Sequence, residues 1–314
     1  MKTVILDVDT GVDDAFAIMF AARHPDLNLI GITCVDGNTK LSQVLINTLK
    51  VLDKAGARQI PVSSGASRPL LETPKYAEHV HGSDGLGDLD TPLSARKIDQ
   101  RPAIQLLRDL IDSSPNPVTL IPTAPLTNIA LFLGAYPESA KKLERIVLMG
   151  GSASKGNATE YAEFNVWHDP EAAAIVFKSG VPITMYGLDV FNDLIMNKDD
   201  VASLTASKDE CAQFAGRLID HFISVPNLEV TLGDYGAVAT AIRPDLATCK
   251  KYRVSVDTSF SPTRGQTHCR PVETKDSELG EHDRDAPVVD VVVASDVDGM
   301  RKLWLETVNS QSKI

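Results

Sequence analysis

The sequence predicts an α/β fold with a mainly parallel central sheet flanked by helices. Two observations carry this prediction: short β-branched apolar runs alternate with longer segments of helical period, and most of the runs are continuously apolar. Continuously apolar strands indicate a sheet that is covered on both faces. The predicted strands are Val4–Val8, Leu29–Val35, Ile60–Ser64, Val118–Pro122, Arg145–Met149 and Ile183–Gly187.

Helical segments lie between most of these strands, and one of them has a clear start signal. Asp169 precedes Pro170, which places a capping acid before a proline at the first helical position. A further helix is predicted over Asp209–Ile223, after the last of these strands. The helices between the strands are Asp13–Arg23, Gln43–Ala55, Ala103–Ser113, Leu126–Leu133 and Pro170–Ser179.

Two regions depart from the strand–helix alternation. Gly65–Arg101 is rich in Gly, Pro, Asp and Ser, which predicts a long loop. Near the C-terminal end, Tyr252–Asp257 and Thr267–Val272 flank a turn rich in Gly, Pro and Thr, which predicts a small antiparallel hairpin. Because neither a repeat nor a linker is evident, residues 1–314 are predicted to form one domain, with ligands at the carboxyl ends of the strands.

The composition is that of a globular protein, with 43% apolar and 23% charged residues and no apolar run long enough to cross a bilayer. The net charge of −11 disfavours nucleic acids and anionic membranes as partners. Four widely scattered cysteines predict reduced thiols in a cytosolic protein. The N-terminus enters a strand pattern at once, so no signal peptide is predicted.

An acidic cluster ends the first predicted strand and opens the first helix. Asp7 and Asp9 share one face of the strand because side chains repeat every two residues. Gly11 permits a tight turn, and Asp13 and Asp14 then fall in the first helical turn, where the helix dipole favours carboxylates. Carboxylates this close together repel one another strongly unless a cation or protons intervene.

Helix capping explains one or two of these acids as residues that face water. It does not explain Asp7 and Asp9 at the end of an apolar strand, so the cluster favours a hard-metal site for Ca²⁺ or Mg²⁺. The same segment also resembles the D-x-D-x-T motif of haloacid-dehalogenase-type phosphatases, in which the first aspartate is a nucleophile. That alternative stays open, although the continuation Gly11–Asp14 fits it poorly.

The acidic segment further resembles the D-x-D-x-G-x-D-D signature of the inosine–uridine preferring nucleoside hydrolase family, and the similarity covers most of the chain. Each later motif is weak alone, whereas their order and spacing are specific. The matching motifs are Asp7 to Asp14, Asp36-Gly37-Asn38, His81 to Gly87, Pro122 to Asn128, Met149-Gly150-Gly151, Asn157, Glu163-Phe164-Asn165 and Asp169-Pro170-Glu171. The resemblance implies a Rossmann-like nucleoside hydrolase fold, a Ca²⁺ cofactor, and cleavage of ribonucleosides to free base and ribose.

The resemblance also implies a role for each matching position. Asp9, Asp14, the backbone carbonyl of Thr123 and Asp234 would bind Ca²⁺, with Asp9 also the general base and Asp7 supporting the cluster from behind. The implied substrate contacts are Asp13 and Asn165 at the ribose hydroxyls, Asn157 and Glu163 at the 5′-hydroxyl, Met149 under the sugar, and Asn38 near the metal.

The reaction explains this inventory. Breaking a ribosyl C–N bond by water passes through an oxocarbenium-like state, as in O-glycoside hydrolysis. Calcium can lower the pKa of a water molecule, and a neighbouring carboxylate such as Asp9 can accept the proton. Ribose specificity is expected to be strict, because a missing hydroxyl would leave buried polar groups unpaired.

One position departs from the family pattern. Several members carry a histidine immediately before the late calcium-binding aspartate, as the acid for the departing base, whereas this chain has Gly233 before Asp234. His81, His221 and Tyr235 are the remaining candidates for contact with the leaving base. Phe164, Trp167 and Phe222 are candidates for stacking on it.

Gly233 also keeps a second hypothesis open: a ribonucleoside-binding protein that retains the calcium site and has lost catalysis. The phosphatase is a third. The family resemblance implies a homodimer or homotetramer, while purine or pyrimidine preference is left undecided by the sequence.

Overall fold

The structure, a computed structural model, describes residues 1–57, 59–224 and 230–310. Within these ranges the strands form one nine-stranded sheet. They are β1 (Lys2–Val8), β2 (Leu27–Cys34), β3 (Val62–Ser64), β4 (Val118–Pro122), β5 (Leu143–Met149), β6 (Ile183–Tyr186), β7 (Ala247–Val256), β8 (Thr267–Pro271) and β9 (Val288–Ser295). Their order across the sheet is β3-β2-β1-β4-β5-β6-β9-β7-β8.

The sheet is parallel over most of its width. β1 pairs in parallel with β2 and β4, and parallel pairing continues outward to β3 on one side and to β9 on the other. β7 runs antiparallel to β9 and β8, with Tyr252 opposite Pro271 in the β7–β8 hairpin. The predicted fold class is therefore confirmed, including the antiparallel extension near the C-terminal end.

Helices cover both faces of this sheet. They are α1 (Val12–Arg23), α2 (Leu41–Lys54), α3 (Glu78–His81), α4 (Ala103–Ser113), α5 (Thr127–Ala135), α6 (Pro137–Ala140), α7 (Phe164–His168), α8 (Pro170–Phe177), α9 (Leu188–Phe191), α10 (Lys198–Ala206), α11 (Glu210–Ser224), α12 (Tyr235–Ile242), α13 (Glu281–Arg284) and α14 (Val297–Asn309). Among the described residues, no helix combines the length and apolarity needed to span a membrane.

The two covered faces explain why the strands are continuously apolar. Val4 and Leu6 of β1 belong to the apolar cluster formed with α1, α2, α11, α12 and α14. Ile5, between them, belongs to the opposite cluster, which includes residues of α4, α5 and α8. Because alternate side chains enter different cores, every position of the strand is selected to be apolar.

Local signals in the sequence account for the start of α8 and for the long loop region. The Asp169 carboxylate accepts the Ala172 N–H at 3.0 Å, so the predicted cap does begin α8. Gly65–Arg101 is largely irregular, as predicted, except for the single turn α3. The predictions do not include β9 and α14, because β9 enters the sheet between β6 and β7, an order that chain alternation does not reveal.

The sheet brings several distant chain segments to one edge. The Val35 N–H donates to the Val8 carbonyl at 3.0 Å, and the Thr123 N–H donates to the Asp7 carbonyl at 2.9 Å. The segments that follow β1, β2 and β4 are thus held side by side, with Met149 at the end of β5 beside them. This carboxyl edge is where ligands bind in parallel α/β sheets.

Candidate active site

Asp7 forms the inner support of this edge. It is fully buried, and its Oδ1 accepts hydrogen bonds from the Thr33 hydroxyl and from the Asn128 amide, the latter at 2.8 Å. Burial raises the pKa of Asp7 to about 7, against the lowering effect of those two donors. Since its backbone carbonyl also accepts the Thr123 N–H, Asp7 fixes the segment that follows β4.

Asp9 follows the end of β1, two residues after Asp7, and is also fully buried. Its Oδ2 accepts the Asn38 N–H at 2.7 Å, whereas its Oδ1 has no hydrogen-bond partner among the described residues. A Cβ atom on Gly37 would overlap Asp9 Oδ2, so the glycine allows the Asn38 backbone to approach. Burial, and then the charge of Asp14, raise the pKa of Asp9 well above its ordinary value.

Asp14 connects three segments of the site. Its Oδ1 accepts the Thr123 hydroxyl at 2.7 Å, and its Oδ2 accepts the Gly11 N–H at 2.9 Å and the Asn38 amide at 3.3 Å. Burial, followed by the charge of Asp13, raises the pKa of Asp14 to about 7. Asp13, in the same helical turn, keeps 20% of its side chain exposed and faces the cavity described below.

Asp234 brings a further carboxylate to this cluster, from the residue that precedes α12. One carboxylate oxygen each of Asp13, Asp14 and Asp234 lies within 4.8 Å of the other two. Burial, and then the charge of Asp13, raise the pKa of Asp234 well above its ordinary value. For Asp9, Asp14 and Asp234 alike, burial is the first cause of the raised pKa, and the charges of neighbouring carboxylates raise it further.

The donor set fits a hard divalent cation, because oxygen ligands suit Ca²⁺ and Mg²⁺. The predicted ligand set and this cluster share Asp14 and Asp234. The third carboxylate of the cluster is Asp13, whereas the third predicted carboxylate is Asp9. Asp9 lies close enough to the cluster for the charge of Asp14 to contribute to the raised pKa of Asp9. The Thr123 carbonyl, the remaining predicted ligand, accepts the Asn165 amide at 3.0 Å.

A cavity of about 420 Å³ opens above the carboxylates. It adjoins the carboxyl edge of the sheet and is bounded outside by α7 and by the segment around α3. The predicted site residues that line it are Asp13, Asn38, His81, Thr123, Met149, Asn157, Glu163, Phe164, Asn165 and Asp234. This volume suits a small organic ligand.

Glu163 organises one wall of the cavity. Its carboxylate begins α7 by accepting the N–H groups of Asn165 at 2.9 Å and Val166 at 3.2 Å. It also accepts the Gly151 N–H at 2.8 Å, which ties α7 to the segment after β5. Burial raises the pKa of Glu163 to about 7 despite these three donors.

Asn165 and Asn157 hold the rest of this wall. The Asn165 amide donates to the carbonyls of Thr123 at 3.0 Å and Met149 at 3.1 Å, and lies 3.3 Å from the Met149 sulfur. The Asn157 side-chain oxygen accepts the Phe164 N–H at 2.9 Å. Residues from four separate segments are therefore placed around one space, as the motif pattern implies.

His81 lies on the other side of Asp13. Its Nδ1 accepts the Val12 N–H at 3.3 Å, which assigns the proton of the neutral imidazole to Nε2. Burial lowers the pKa of His81, so the ring stays neutral near pH 7. Its ring meets that of Phe222 edge-on, with 6.2 Å between centroids. A neutral ring with a free Nε2–H is a hydrogen-bond donor toward the cavity.

The structure corrects the prediction for Tyr235. Its side chain is fully buried in the core, where its ring packs against Phe20 and Trp304 and its hydroxyl donates to the Met300 carbonyl at 2.9 Å. It does not line the cavity, because the first turn of α12 directs it away from Asp234, its neighbour in the chain. Tyr235 is therefore a core residue.

His221 lies beside the loop that follows α3, against Gly87. The cavity lining includes its neighbour Phe222 and not His221 itself. The structure therefore does not place His221 at the cavity, whereas His81, the other predicted histidine, does line it.

Several residues that line the outer part of the cavity were not predicted from the sequence. Lys75 places its Nζ 3.8 Å from the ring centroid of Trp167, and both line the cavity. Trp167 was considered as a stacking residue, whereas Lys75 lies in a segment without regular period. The other unpredicted lining residues are Phe16, Tyr76, Ala77, His79, Val80, Ala158, Phe191, Asn192 and Thr231.

Comparison with known proteins decides the family. The family model of the inosine-uridine preferring nucleoside hydrolases matches residues 4–302. The chain belongs to the inosine-uridine preferring nucleoside hydrolase family. This membership decides against the haloacid-dehalogenase-type phosphatase. The matched range includes all the residues that line the cavity, from Asp13 to Asp234.

Most of the chain can be aligned with known ribonucleoside hydrolases. The chain is 40% identical over 272 residues to the pyrimidine-specific ribonucleoside hydrolase RihA of Shewanella baltica, and the alignment covers 85% of this chain and 86% of that protein. It is 39% identical over 306 residues to the non-specific ribonucleoside hydrolase RihC of Salmonella agona, covering 97% and 96%.

Solved structures of nucleoside hydrolases agree with the fold. The plant nucleoside hydrolase PpNRh1 superposes with a TM-score of 0.91 at 29% identity, covering 99% of both chains. The purine-preferring ribonucleoside hydrolase of Gardnerella vaginalis superposes with a TM-score of 0.87 at 31% identity, covering 98% of both chains.

The structure also accounts for Gly233, where the family resemblance led us to expect a histidine. Its φ of +39° lies in the left-handed region, and a Cβ atom there would overlap the Phe191 ring. Phe191 lines the cavity beside Asp234. In this nucleoside hydrolase an aromatic ring therefore occupies the space that a side chain at position 233 would enter.

Proposed function

We propose that this nucleoside hydrolase cleaves ribonucleosides to free base and ribose with the help of Ca²⁺. The observation that carries the proposal is the cluster of carboxylate oxygens of Asp13, Asp14 and Asp234, which lie within 4.8 Å of one another beside the cavity. Asp14, Asp234, the Thr123 carbonyl and Asp9 are the proposed ligands. When bound, Ca²⁺ would supply charge neutralisation, a more acidic water molecule and an anchor for the ribose hydroxyls.

Asp9 is the proposed general base. Its Oδ2 is held by the Asn38 N–H, which leaves Oδ1 without a partner among the residues described. In the reaction, water oxygen bonds to C1′ of the ribose while the C1′–N bond breaks and its electron pair stays on the base. Asp9 Oδ1 accepts the proton that the water loses.

The ribose would be held by the wall that Glu163 organises. Asp13 faces the cavity with a partly exposed carboxylate, which accepts hydrogen bonds from the ribose hydroxyls. Asn165 is proposed beside it, with Asn157 and Glu163 at the 5′-hydroxyl and Met149 under the sugar. Contacts that depend on each hydroxyl favour ribose over deoxyribose and position C1′ for attack.

The leaving base gains negative charge as the bond breaks, so a hydrogen-bond donor near it lowers the barrier. We propose His81 for this role, because its Nδ1 is occupied by the Val12 N–H and its Nε2–H is available. Phe222, in edge contact with His81, and Phe164 are the proposed stacking partners.

The wider biology of the protein is proposed from the same resemblance. We infer a single domain over residues 1–314, a homodimer or homotetramer, a cytoplasmic location and a role in nucleoside catabolism. The named relatives include pyrimidine-specific, non-specific and purine-preferring enzymes, so the base preference is a matter for experiment.

The test is release of reducing sugar from adenosine, guanosine, inosine, cytidine and uridine. We expect turnover of at least one ribonucleoside, its loss in EDTA and its recovery with CaCl₂. The corresponding 2′-deoxynucleosides are expected to react at least about 10²-fold more slowly, because Asp13 and its neighbours lose a hydroxyl partner.

Three outcomes would contradict parts of the proposal. Calorimetric binding of a ribonucleoside without turnover would favour the binding-protein hypothesis, for which Gly233 is the structural argument. Activity that survives EDTA would remove the metal from the mechanism. No binding and no turnover, with a correctly folded protein, would contradict the function itself.

A further inference from the structure

A buried polar group lies outside the proposed reaction centre and touches three of the segments that surround it. Asp36, 2% exposed, follows β2, and His168, also 2% exposed, ends α7. Asp36 Oδ2 lies 3.6 Å from His168 Nε2. Among the described residues, neither that oxygen nor either ring nitrogen of His168 has a hydrogen-bond partner.

The second oxygen of Asp36 reaches the outer part of the cavity. Asp36 Oδ1 accepts the Tyr76 hydroxyl at 3.4 Å and the Leu41 N–H at 3.4 Å. Burial, and then the charge of Asp36, raise the pKa of Tyr76, which keeps its hydroxyl protonated as a donor. Tyr76 lines the cavity, whereas Asp36 and His168 lie behind its lining.

Each of the three segments also carries a residue of the proposed site. Asn38, two residues after Asp36, donates to Asp9 and accepts the Ala77 N–H at 2.9 Å through its carbonyl. α7, which ends at His168, carries Phe164 and Asn165, and the Phe164 and His168 rings lie 5.6 Å apart. The group therefore joins the segment around Tyr76, the segment around Asn38 and α7.

A closer approach of Asp36 Oδ2 to His168 Nε2 is favoured for a physical reason. Buried polar atoms without partners are unfavourable, and the Asp36–His168 separation exceeds a hydrogen bond by only a few tenths of an ångström. A small inward shift of α7 or of the segment around Tyr76 would complete the hydrogen bonds. That shift would narrow the cavity around a bound ligand.

We propose that Asp36, Tyr76 and His168 form a positioning cluster that holds the outer wall of the cavity closed around the bound nucleoside. The proposal rests on the proposed function. The cluster does not contact the reacting atoms; it acts through Tyr76 and α7 on substrate binding. Its removal is therefore expected to raise KM and to leave kcat nearly unchanged.

The variants remove one contact each. Tyr76→Phe and His168→Leu are expected to raise KM for the best ribonucleoside by about five-fold, as for the loss of one hydrogen bond, with kcat within about two-fold. His168→Gln, which restores an amide donor, is expected to return KM to within about two-fold of the native value. Asp36→Ala combined with Tyr76→Phe should match Asp36→Ala alone in KM, because Asp36→Ala already removes the acceptor of the Tyr76 hydroxyl.

Tyr235→Phe is the matched control, since it also removes the hydroxyl of a tyrosine, here one that bonds the Met300 carbonyl in the core. It is expected to lower Tm and to leave KM and kcat unchanged. A role in general stability would instead give the Tyr76 and His168 variants a lower Tm with an unchanged KM, which would overturn the proposal. A fall in kcat at unchanged KM would overturn it as well.

Calorimetric titration with inosine and uridine in an Asp9→Ala background, in which turnover is expected to be negligible, gives the same comparison from binding alone. A weaker Kd in Tyr76→Phe, at an unchanged Kd in Tyr235→Phe, supports the cluster even if the native protein proves to be a binding protein. Should His168→Leu fail to fold, Tyr76→Phe still decides, because it removes a single oxygen at the cavity lining. Turnover by the native protein in the reducing-sugar assay tests the hydrolase function separately.

Discussion

The floor and the outer wall of the cavity are built on opposite principles. The floor is the set of buried carboxylates Asp9, Asp14 and Asp234; Asp234 lines the cavity, and Asp9 and Asp14 lie beneath its lining. The outer wall is aromatic and basic, and its residues come from an irregular segment, from three short helices and from the end of α11: Lys75, Tyr76, His79, Trp167, Phe191 and Phe222.

The floor and the outer wall differ because they tolerate different substitutions. A buried carboxylate needs a specific partner for each oxygen, so a change at Asp14 breaks bonds to Thr123, Gly11 and Asn38 together. A partly exposed aromatic or basic side chain has water as an alternative partner, so many residue types can occupy its place. The floor is therefore suited to the bond-breaking chemistry, and the outer wall to the recognition of the base.

The largest expected effect is at the floor. Asp9→Ala removes the proposed base and a proposed ligand, so kcat/KM should fall by at least about 10³-fold for every ribonucleoside that the native protein cleaves. Steady-state reducing-sugar assays with the folded variant measure this effect. Because the floor serves all substrates, the ranking of nucleosides should stay the same.

Asp257→Ala is the control, since this aspartate also accepts several hydroxyl hydrogen bonds but lies in the turn after β7. Its activity should be close to native. An Asp9→Ala variant that keeps native activity would remove Asp9 from the mechanism and leave the function intact.

The same contrast explains what the sequence could and could not predict. The spacing of Asp7, Asp9, Asp13 and Asp14 on a strand end and a helix start already indicated carboxylates around a shared point. Local geometry fixes such a pattern, since the strand period and the first helical turn leave the side chains few directions. The parallel sheet was predictable for a similar reason, as continuously apolar strands need two covered faces.

The outer wall depends on contacts between distant segments. Lys75 meets Trp167 because a long irregular segment returns to α7, and no periodicity in the sequence encodes that approach. Tyr235 shows the opposite error: its closeness in sequence to Asp234 suggested a place in the site, whereas the turn of α12 places it in the core. Sequence neighbours on a helix start point in different directions.

An effect of intermediate size on kcat is expected at His81, which lies between the floor and the outer wall. His81→Asn keeps an acceptor for the Val12 N–H and removes the Nε2–H. We expect kcat for inosine or uridine to fall by about 10- to 100-fold, because the departing base loses its donor. The effect should differ between bases, in contrast to that of Asp9→Ala.

The control for His81 is a change of substrate. 4-Nitrophenyl riboside releases a stable anion that needs no proton, so its kcat should change by less than about three-fold in His81→Asn. An equal loss for the nitrophenyl riboside and for the nucleosides would contradict hydrogen-bond donation by His81 to the leaving base. It would then be a residue that merely shapes the site.

The smallest expected effect is at Gly233, which separates the floor residue Asp234 from the outer-wall ring of Phe191. Gly233→Ala should destabilise the protein by about 1–3 kcal/mol, because its φ is +39° and the new Cβ would overlap Phe191. Thermal unfolding measures the change. Gly134→Ala is the matched control: nothing lies within 4 Å of a Cβ atom there, so helix propensity should stabilise α5 slightly.

A second substitution tells steric overlap from backbone strain at this position. If overlap dominates, adding Phe191→Ala to Gly233→Ala should recover part of the lost stability, since it removes the ring that the Cβ meets. If the positive φ dominates, the double variant should be no more stable than the sum of the single changes predicts. Recovery would establish that Phe191 and a side chain at position 233 exclude each other, which is the physical reason that a histidine cannot stand beside Asp234 in this chain.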